Sequence, residues 1–125
     1  MFDDPEGPIE HFSWATFVIN GQEHSPSAGV GKDVRLIGDE VSPWRERSGH
    51  RLKRSMITGI YDRDVEVLVL GLGVHGRLTC PKKVKKAIEQ HGLTLIAEPT
   101  PEACRIYNEL HREGKKVALL AHGTC

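Results

Sequence analysis

The sequence predicts a single α/β domain whose C-terminal half runs β-α-β-α-β and whose N-terminal half adds β-structure. Three observations predict it. From residue 65 onward, short apolar runs alternate with segments of helical periodicity. Between residues 12 and 39, β-prone runs are separated by turn dipeptides. A length of 125 residues is that of one domain, enough to bury a core without disulfide or metal staples and too short for a two-domain dehydrogenase.

Residues 1–10 are polar, contain Pro5 and Pro8, and read as a flexible arm, which leaves residues 11–125 as the domain. Phe12 to Ile19 reads as one strand, and Asn20-Gly21 beyond it is a strong hairpin signal. Asp33 to Gly38 is a further strand, turned by Gly38-Asp39. Pro43 and Gly49 mark Ser42 to Leu52 as a loop. From Ser55 to Arg63 a capping serine and an apolar face of Met56, Ile57, Ile60 and Tyr61 predict a helix, which Gly59 weakens.

The second half is more regular. Val65 to Leu70 is almost uniformly apolar, as a central strand covered on both faces should be. Pro81 opens a helix, Val84, Ala87, Ile88 and His91 follow helical spacing, and Gly92 ends it. Leu93 to Ala97 is the next strand. Thr100-Pro101-Glu102 reads as a helix start, with a capping hydroxyl, an N1 proline and a carboxylate at the positive end of the dipole. Ala103, Tyr107 and Leu110 mark its inward face, with Tyr107's hydroxyl expected at a polar edge and Asn108 expected to cap a neighbouring loop. Lys116 to His122 is the third strand. This order implies parallel neighbours joined by right-handed crossovers.

Apolar residues are 38% and charged residues 27%, as in an ordinary globular protein. Seventeen Lys and Arg balance seventeen Asp and Glu, so the whole-chain charge offers no footprint for nucleic acid. It also offers no repulsion against self-association, and a monomer or weak homodimer is expected. Cys80, Cys104 and Cys125 are odd in number and widely spaced, which argues against a disulfide framework and for a reducing cytoplasm. The acidic N-terminal residues do not read as a signal peptide or a mitochondrial presequence. No apolar run approaches the ~20 residues of a membrane span, so no membrane partner is expected.

Gly71, Gly73 and Gly76 follow the apolar strand and spell G-x-G-x-x-G, and Glu98 lies 22 residues past Gly76, where a ribose-binding acid would stand. In the dinucleotide fingerprint, however, the third glycine already belongs to the helix. Here Arg77 to Cys80 intervene and the helix opens only at Pro81. No nicotinamide or flavin is expected, and no other cofactor. Two readings remain. Gly71 and Gly73 permit positive φ and close packing after a central strand. Alternatively the loop lines a ligand cleft at the carboxyl end of the strand, with His75 and Arg77 facing an anion.

The motifs Trp44-Arg45-x-x-x-Gly49-His50, "VLVLGLGVHGRL", "HGLTLIAEPTPEACRIYNEL" and "KVALLAHGTC" carry a resemblance that covers nearly the whole chain from Phe12. The chain resembles the adipogenesis-associated conserved-domain family, the MTH-type domain of unknown function, with the mitochondrial complex I assembly factor as a distant member. The resemblance implies a three-layer α/β domain around a central mixed sheet. It carries no established reaction, and implies assembly or regulation through partners.

Trp44, Arg45 and His50 share one loop. Arg45 could hold a carboxylate or phosphate, Trp44 stack a ring and His50 shuttle a proton; equally, Trp44 could plug the core while Arg45 caps carbonyls. With Gly71, Gly73, His75, Gly76 and Arg77 these residues form the candidate cleft, and the two loops are expected to share one surface. Cys80 near a helix N-terminus and His75 could make an activated thiol, or Cys80 could simply start the helix. His122 and Cys125 have two-ligand spacing and do not make a zinc site, so no metal is expected. The function expected is therefore a non-enzymatic binding or assembly module for another protein or a small anionic ligand. The alternative is a small-molecule enzyme or ligand sensor using an anion cleft at the glycine loop.

Overall fold

The structure, a computed structural model, describes residues 1–125. Strands β1 (Phe2–Asp3), β2 (Ile9–Ser13), β3 (Thr16–Ile19) and β4 (Gln22–His24) form an antiparallel meander. Strands β5 (Val34–Ile37), β6 (Glu40–Pro43), β7 (Val67–Leu72), β8 (Thr94–Glu98) and β9 (Val117–His122) form a mixed sheet in the order β6-β5-β9-β7-β8. Strands β7, β8 and β9 are parallel, and β5 runs antiparallel to β9. Helices α1 (Lys82–Gln90) and α2 (Thr100–Arg112) make the crossovers. Neither helix is long and apolar enough to cross a membrane.

Alternation along the central strands explains their continuous apolar character. Val67, Val69, Val117, Leu119 and Ala121 face a core shared with α2 and with Ile9, Phe12, Phe17 and Ile19 of the meander. Leu68, Leu70, Ala118 and Leu120 face a second core closed by α1 and the chain between Trp44 and Leu78. Both faces are covered, so the strand side chains that meet the two cores are apolar, and His122 at the end of β9 is the buried polar exception. The result is three layers, with the five-stranded sheet in the middle.

Several expectations need correction. Phe12 to Ile19 is not one strand: Ser13 pairs with Thr16 across a turn at Trp14 and Ala15, and Ala15 takes φ +58°. The Asn20-Gly21 turn follows as expected, with φ +50° and +79°. Ser55 to Arg63 is not a helix; only a 3-10 turn, Arg54–Met56, forms. The carbonyls a helix would use are taken by side chains: Trp44 Nε1 donates to Met56 O at 2.8 Å and Arg35 Nε to Thr58 O at 2.8 Å. Met56, Ile57 and Ile60 are buried all the same, because burial needs apolar side chains and not a helical period.

Residues 1–10, read as a loose arm, instead supply β1 and the start of β2. Asn108 on α2 holds them: its Oδ1 accepts from Ile9 N at 2.9 Å and its Nδ2 donates to Ile9 O at 2.8 Å. Arg112 adds an ion pair to Asp4 at 2.6 Å. Asn108 thus ties down the start of strand β2 and does not cap a loop, and Tyr107 does not reach a polar edge. The Tyr107 hydroxyl is buried without a hydrogen-bond partner, and burial pushes its pKa up.

Candidate functional site

Leu72 of β7 lies beside His122 of β9, and Gly71 beside Glu98 of β8, so three parallel strands end along one edge. That edge is where open α/β sheets place ligands. Thr100 joins the three exits. Its Oγ1 donates to His122 O at 2.6 Å and accepts from Gly73 N at 2.9 Å. Its own amide donates to Gly73 O at 2.9 Å. The hydroxyl expected to cap α2 makes no cap and serves as this clamp instead.

Residues 123–125 leave β9 and run into the glycine loop. Val74 N donates to Thr124 O at 2.7 Å, and His75 N and Arg77 N both donate to Cys125 O at 3.3 Å. The loop amides that would cradle a phosphate are therefore engaged by the chain's own carbonyls. Gly73 has φ +97°, and a Cβ there would overlap the Cys125 carbonyl. Gly71 keeps a strand conformation and is required for another reason: a Cβ would stand 2.8 Å from Thr100 Oγ1 and 3.1 Å from Ala121 Cβ. Positive φ thus applies to Gly73 and Gly76 and not to Gly71.

Behind residues 123–125 lies Asp33, just before β5 and 6% exposed. Its Oδ1 accepts from His122 Nδ1 at 2.8 Å and Gly123 N at 3.0 Å, and its Oδ2 from Arg47 Nε at 2.5 Å. Burial alone would raise the Asp33 pKa, but the bonds from His122, Arg47 and Gly123 outweigh it and hold the carboxyl below its ordinary range. An ionised carboxylate only accepts, so His122 carries its proton on Nδ1. Its Nε2 faces Thr124 Oγ1 at 3.3 Å.

Outside this network a recess of about 300 Å³ is lined by Lys32, Arg47, Gly49, His50, His122, Thr124 and Cys125. A second, of about 450 Å³, is lined by Arg45 and shares Lys32 and Arg47 with it. The largest recess, about 620 Å³, lies away from the glycine loop between β4 and β6. Its Arg35 is already committed to Thr58, Ser42 and Glu46.

The chain just past the glycine loop meets the loop of His50. Thr79 N donates to His50 O at 2.8 Å, Leu52 N to Thr79 O at 2.9 Å, and Cys125 links the glycine loop to the recess of His50. The individual side chains behave differently. Trp44 is 2% exposed and plugs the core, so it cannot stack a guest. Arg45, His50 and Arg77 are exposed. Arg45 lines its own recess, and His75 stands outside both, its ring 6.5 Å from that of exposed Trp14. Arg45, His50 and His75 thus do not converge. Burial raises the Cys80 thiol above its ordinary pKa, opposite to the activation a helix N-terminus would supply. No three His, Cys, Asp or Glu side chains gather as metal ligands.

Asp33, Arg47 and Lys32 were invisible as site residues. Asp33 reads as the polar start of a strand, and its partner His122 is 89 positions away. No local pattern marks the pair, because only the pairing of β5 with β9 brings Asp33 to His122.

The family described as protein of unknown function (DUF498/DUF598) matches residues 9–122. The chain belongs to that family. Solved structures agree on the fold. A conserved hypothetical protein of Pyrococcus horikoshii is 22% identical, with TM-score 0.74 over 94% of this chain and 98% of that one. A structure described as an outer membrane protein of Bartonella henselae is 20% identical, with TM-score 0.77 over 94% and 95%. An Mth938-like domain of Bordetella pertussis is 16% identical, with TM-score 0.65 over 92% and 84%. The resemblance read from the motifs therefore holds, and the family carries no assigned activity.

Proposed function

We propose that this chain is a non-enzymatic binding or assembly module of the reducing cytoplasm. It holds an anionic group, from a small metabolite or from an acidic side chain of a partner protein, in the recess beside His50. The observation that carries this reading is the division of labour at the strand ends. Loop amides and Arg47 are spent internally, whereas the exposed Lys32 has no carboxylate partner and shares the recess with His50 and the Thr124 hydroxyl. Such a site can bind a carboxylate or phosphate. Three free cysteines, one fully buried, fit a reducing compartment.

Titration with inorganic phosphate and with succinate, followed by amide chemical shifts, tests it. The expected shifts cluster at Lys32, His50 and Thr124 and fade in Lys32→Ala. Shifts scattered over the surface, or unaffected by that substitution, would overturn it.

One observation favours the enzymatic alternative: a hydroxyl facing an imidazole that a carboxylate orients, as in Thr124, His122 and Asp33. Against it, His122 is 2% exposed and the nearby amides that could stabilise an oxyanion are engaged. Hydrolysis of an activated ester by the wild type, lost in Thr124→Ala, would establish that alternative.

A further inference from the structure

Whole-chain neutrality conceals a separation of charge. Residues 45–54 carry Arg45, Arg47, Arg51, Lys53 and Arg54 against a single acid, Glu46. Residues 77–86 carry Arg77, Lys82, Lys83, Lys85 and Lys86 and no acid. These two segments hold ten of the seventeen Lys and Arg. Arg47 is paired with Asp33, and Glu46 is drawn away by Arg35. The other nine cations are exposed and have no carboxylate within ion-pair distance.

The fold places the segments side by side. Thr79, just before α1, is hydrogen-bonded to His50 and Leu52, and Arg51 bridges to Thr79. Helix α1 packs on the 3-10 turn at Arg54–Met56. Lys53, Arg54 and Ser55 line one recess of about 370 Å³ with Lys83, and no apolar residue lines it. Val84 and Ile88 turn α1's other side to the core, so its lysines are held outward. Four lysines in its first turns also oppose the positive end of the helix dipole, an arrangement that costs stability where nothing anionic is bound.

We infer that this face binds the phosphate backbone of duplex nucleic acid, independently of the recess at His50. The alternatives fit the same residues less well. Protein interfaces are depleted in lysine and built around aromatic or apolar anchors. Stable anchoring at a membrane surface takes inserted apolar side chains or a lipid chain besides a basic patch. Single strands are held on exposed aromatics. This face has none of these: the exposed large apolar residues of the chain are Met1 and Trp14, outside both segments. Unpaired cations without apolar or aromatic relief match a backbone that offers only charge. The binding is accordingly independent of base sequence.

The test is fluorescence anisotropy of a labelled 20-base-pair duplex of arbitrary sequence between ~50 and ~200 mM salt. The expected result is binding whose logarithm falls with log salt at a slope steeper than about −4. Replacing Lys82, Lys83, Lys85 and Lys86 with Ala should flatten that slope by about 3 and weaken binding at least about tenfold. Alanine is the best helix former, so this variant folds, and its melting curve checks that. It also leaves Lys32, His50 and Thr124 intact, so the recess and the basic face fail separately. Absence of binding at the lowest salt, or a slope unchanged in the variant, overturns the inference. So does tighter binding to polyglutamate, or to phosphatidylserine vesicles, than to the duplex, which would assign the face to an acidic protein or a lipid surface.

Discussion

Asp33 and Arg47 are an ion pair with side chains 6% and 9% exposed, and His122 shares the same carboxylate at 2.8 Å. Removing one partner of such a pair leaves the others buried without compensation, at a cost of about 3–5 kcal/mol. Asp33→Asn should lose about 3 kcal/mol or more in urea unfolding. The pH dependence has a definite sign. The folded-state pKa of Asp33 lies below its ordinary 3.8, so its contribution is complete above that value and is lost as pH falls through the depressed folded value. The variant should lack this part of the acid limb. Tyr107 predicts the opposite sign. Its buried hydroxyl has no partner, so Tyr107→Phe removes an unsatisfied group and keeps the ring. Stability should be unchanged or higher by up to about 1 kcal/mol, and a clear loss would reveal a hidden bond.

The β2–β3 hairpin turns at Trp14-Ala15 with Ala15 at φ +58°, a conformation that favours glycine or asparagine. The neighbouring turn uses Asn20-Gly21, which is why that one was legible and this one was not. The αL penalty for an alanine is roughly 1–2 kcal/mol and the entropic cost of glycine roughly 0.5–1 kcal/mol. Ala15→Gly should therefore raise the unfolding free energy by up to about 1 kcal/mol, read as a shift in denaturant midpoint at unchanged slope. At the same scale, the missing helix after Ser55 shows how side-chain donors redirect a segment. Trp44 and Arg35 capture the carbonyls of Met56 and Thr58, and neither donor is local in sequence.

Over the whole molecule, residues 123–125 act as a strap that joins the strand ends to the glycine loop. Gly73→Ala combines an unfavourable φ with an overlap at Cys125. It should release the strap while leaving the sheet intact. Hydrogen exchange is expected to accelerate at Val74, His75 and Arg77, whose amides bond the strap, with protection kept from Val67 to Leu70. Unchanged exchange at those three amides would show that the strap contributes nothing.

Local chemistry determined most elements from the sequence alone. The apolar runs at Val67–Leu72 and Val117–His122, the period of Val84 and Ile88, and the Asn-Gly turn each follow from preferences acting within a few residues. The same locality marked the glycine loop and the Trp44–His50 loop, and the family motifs they carry. Tertiary structure alone decided what those loops do. Sheet register brings Asp33 to His122 across 89 positions and lays residues 123–125 against the glycine loop. Trp44 turned inward because a core layer needed its ring, and the cations of residues 45–54 met those of 77–86 because α1 packs beside Arg54. Long-range hydrogen bonds and summed fields depend on which strands are neighbours, and no local preference encodes that.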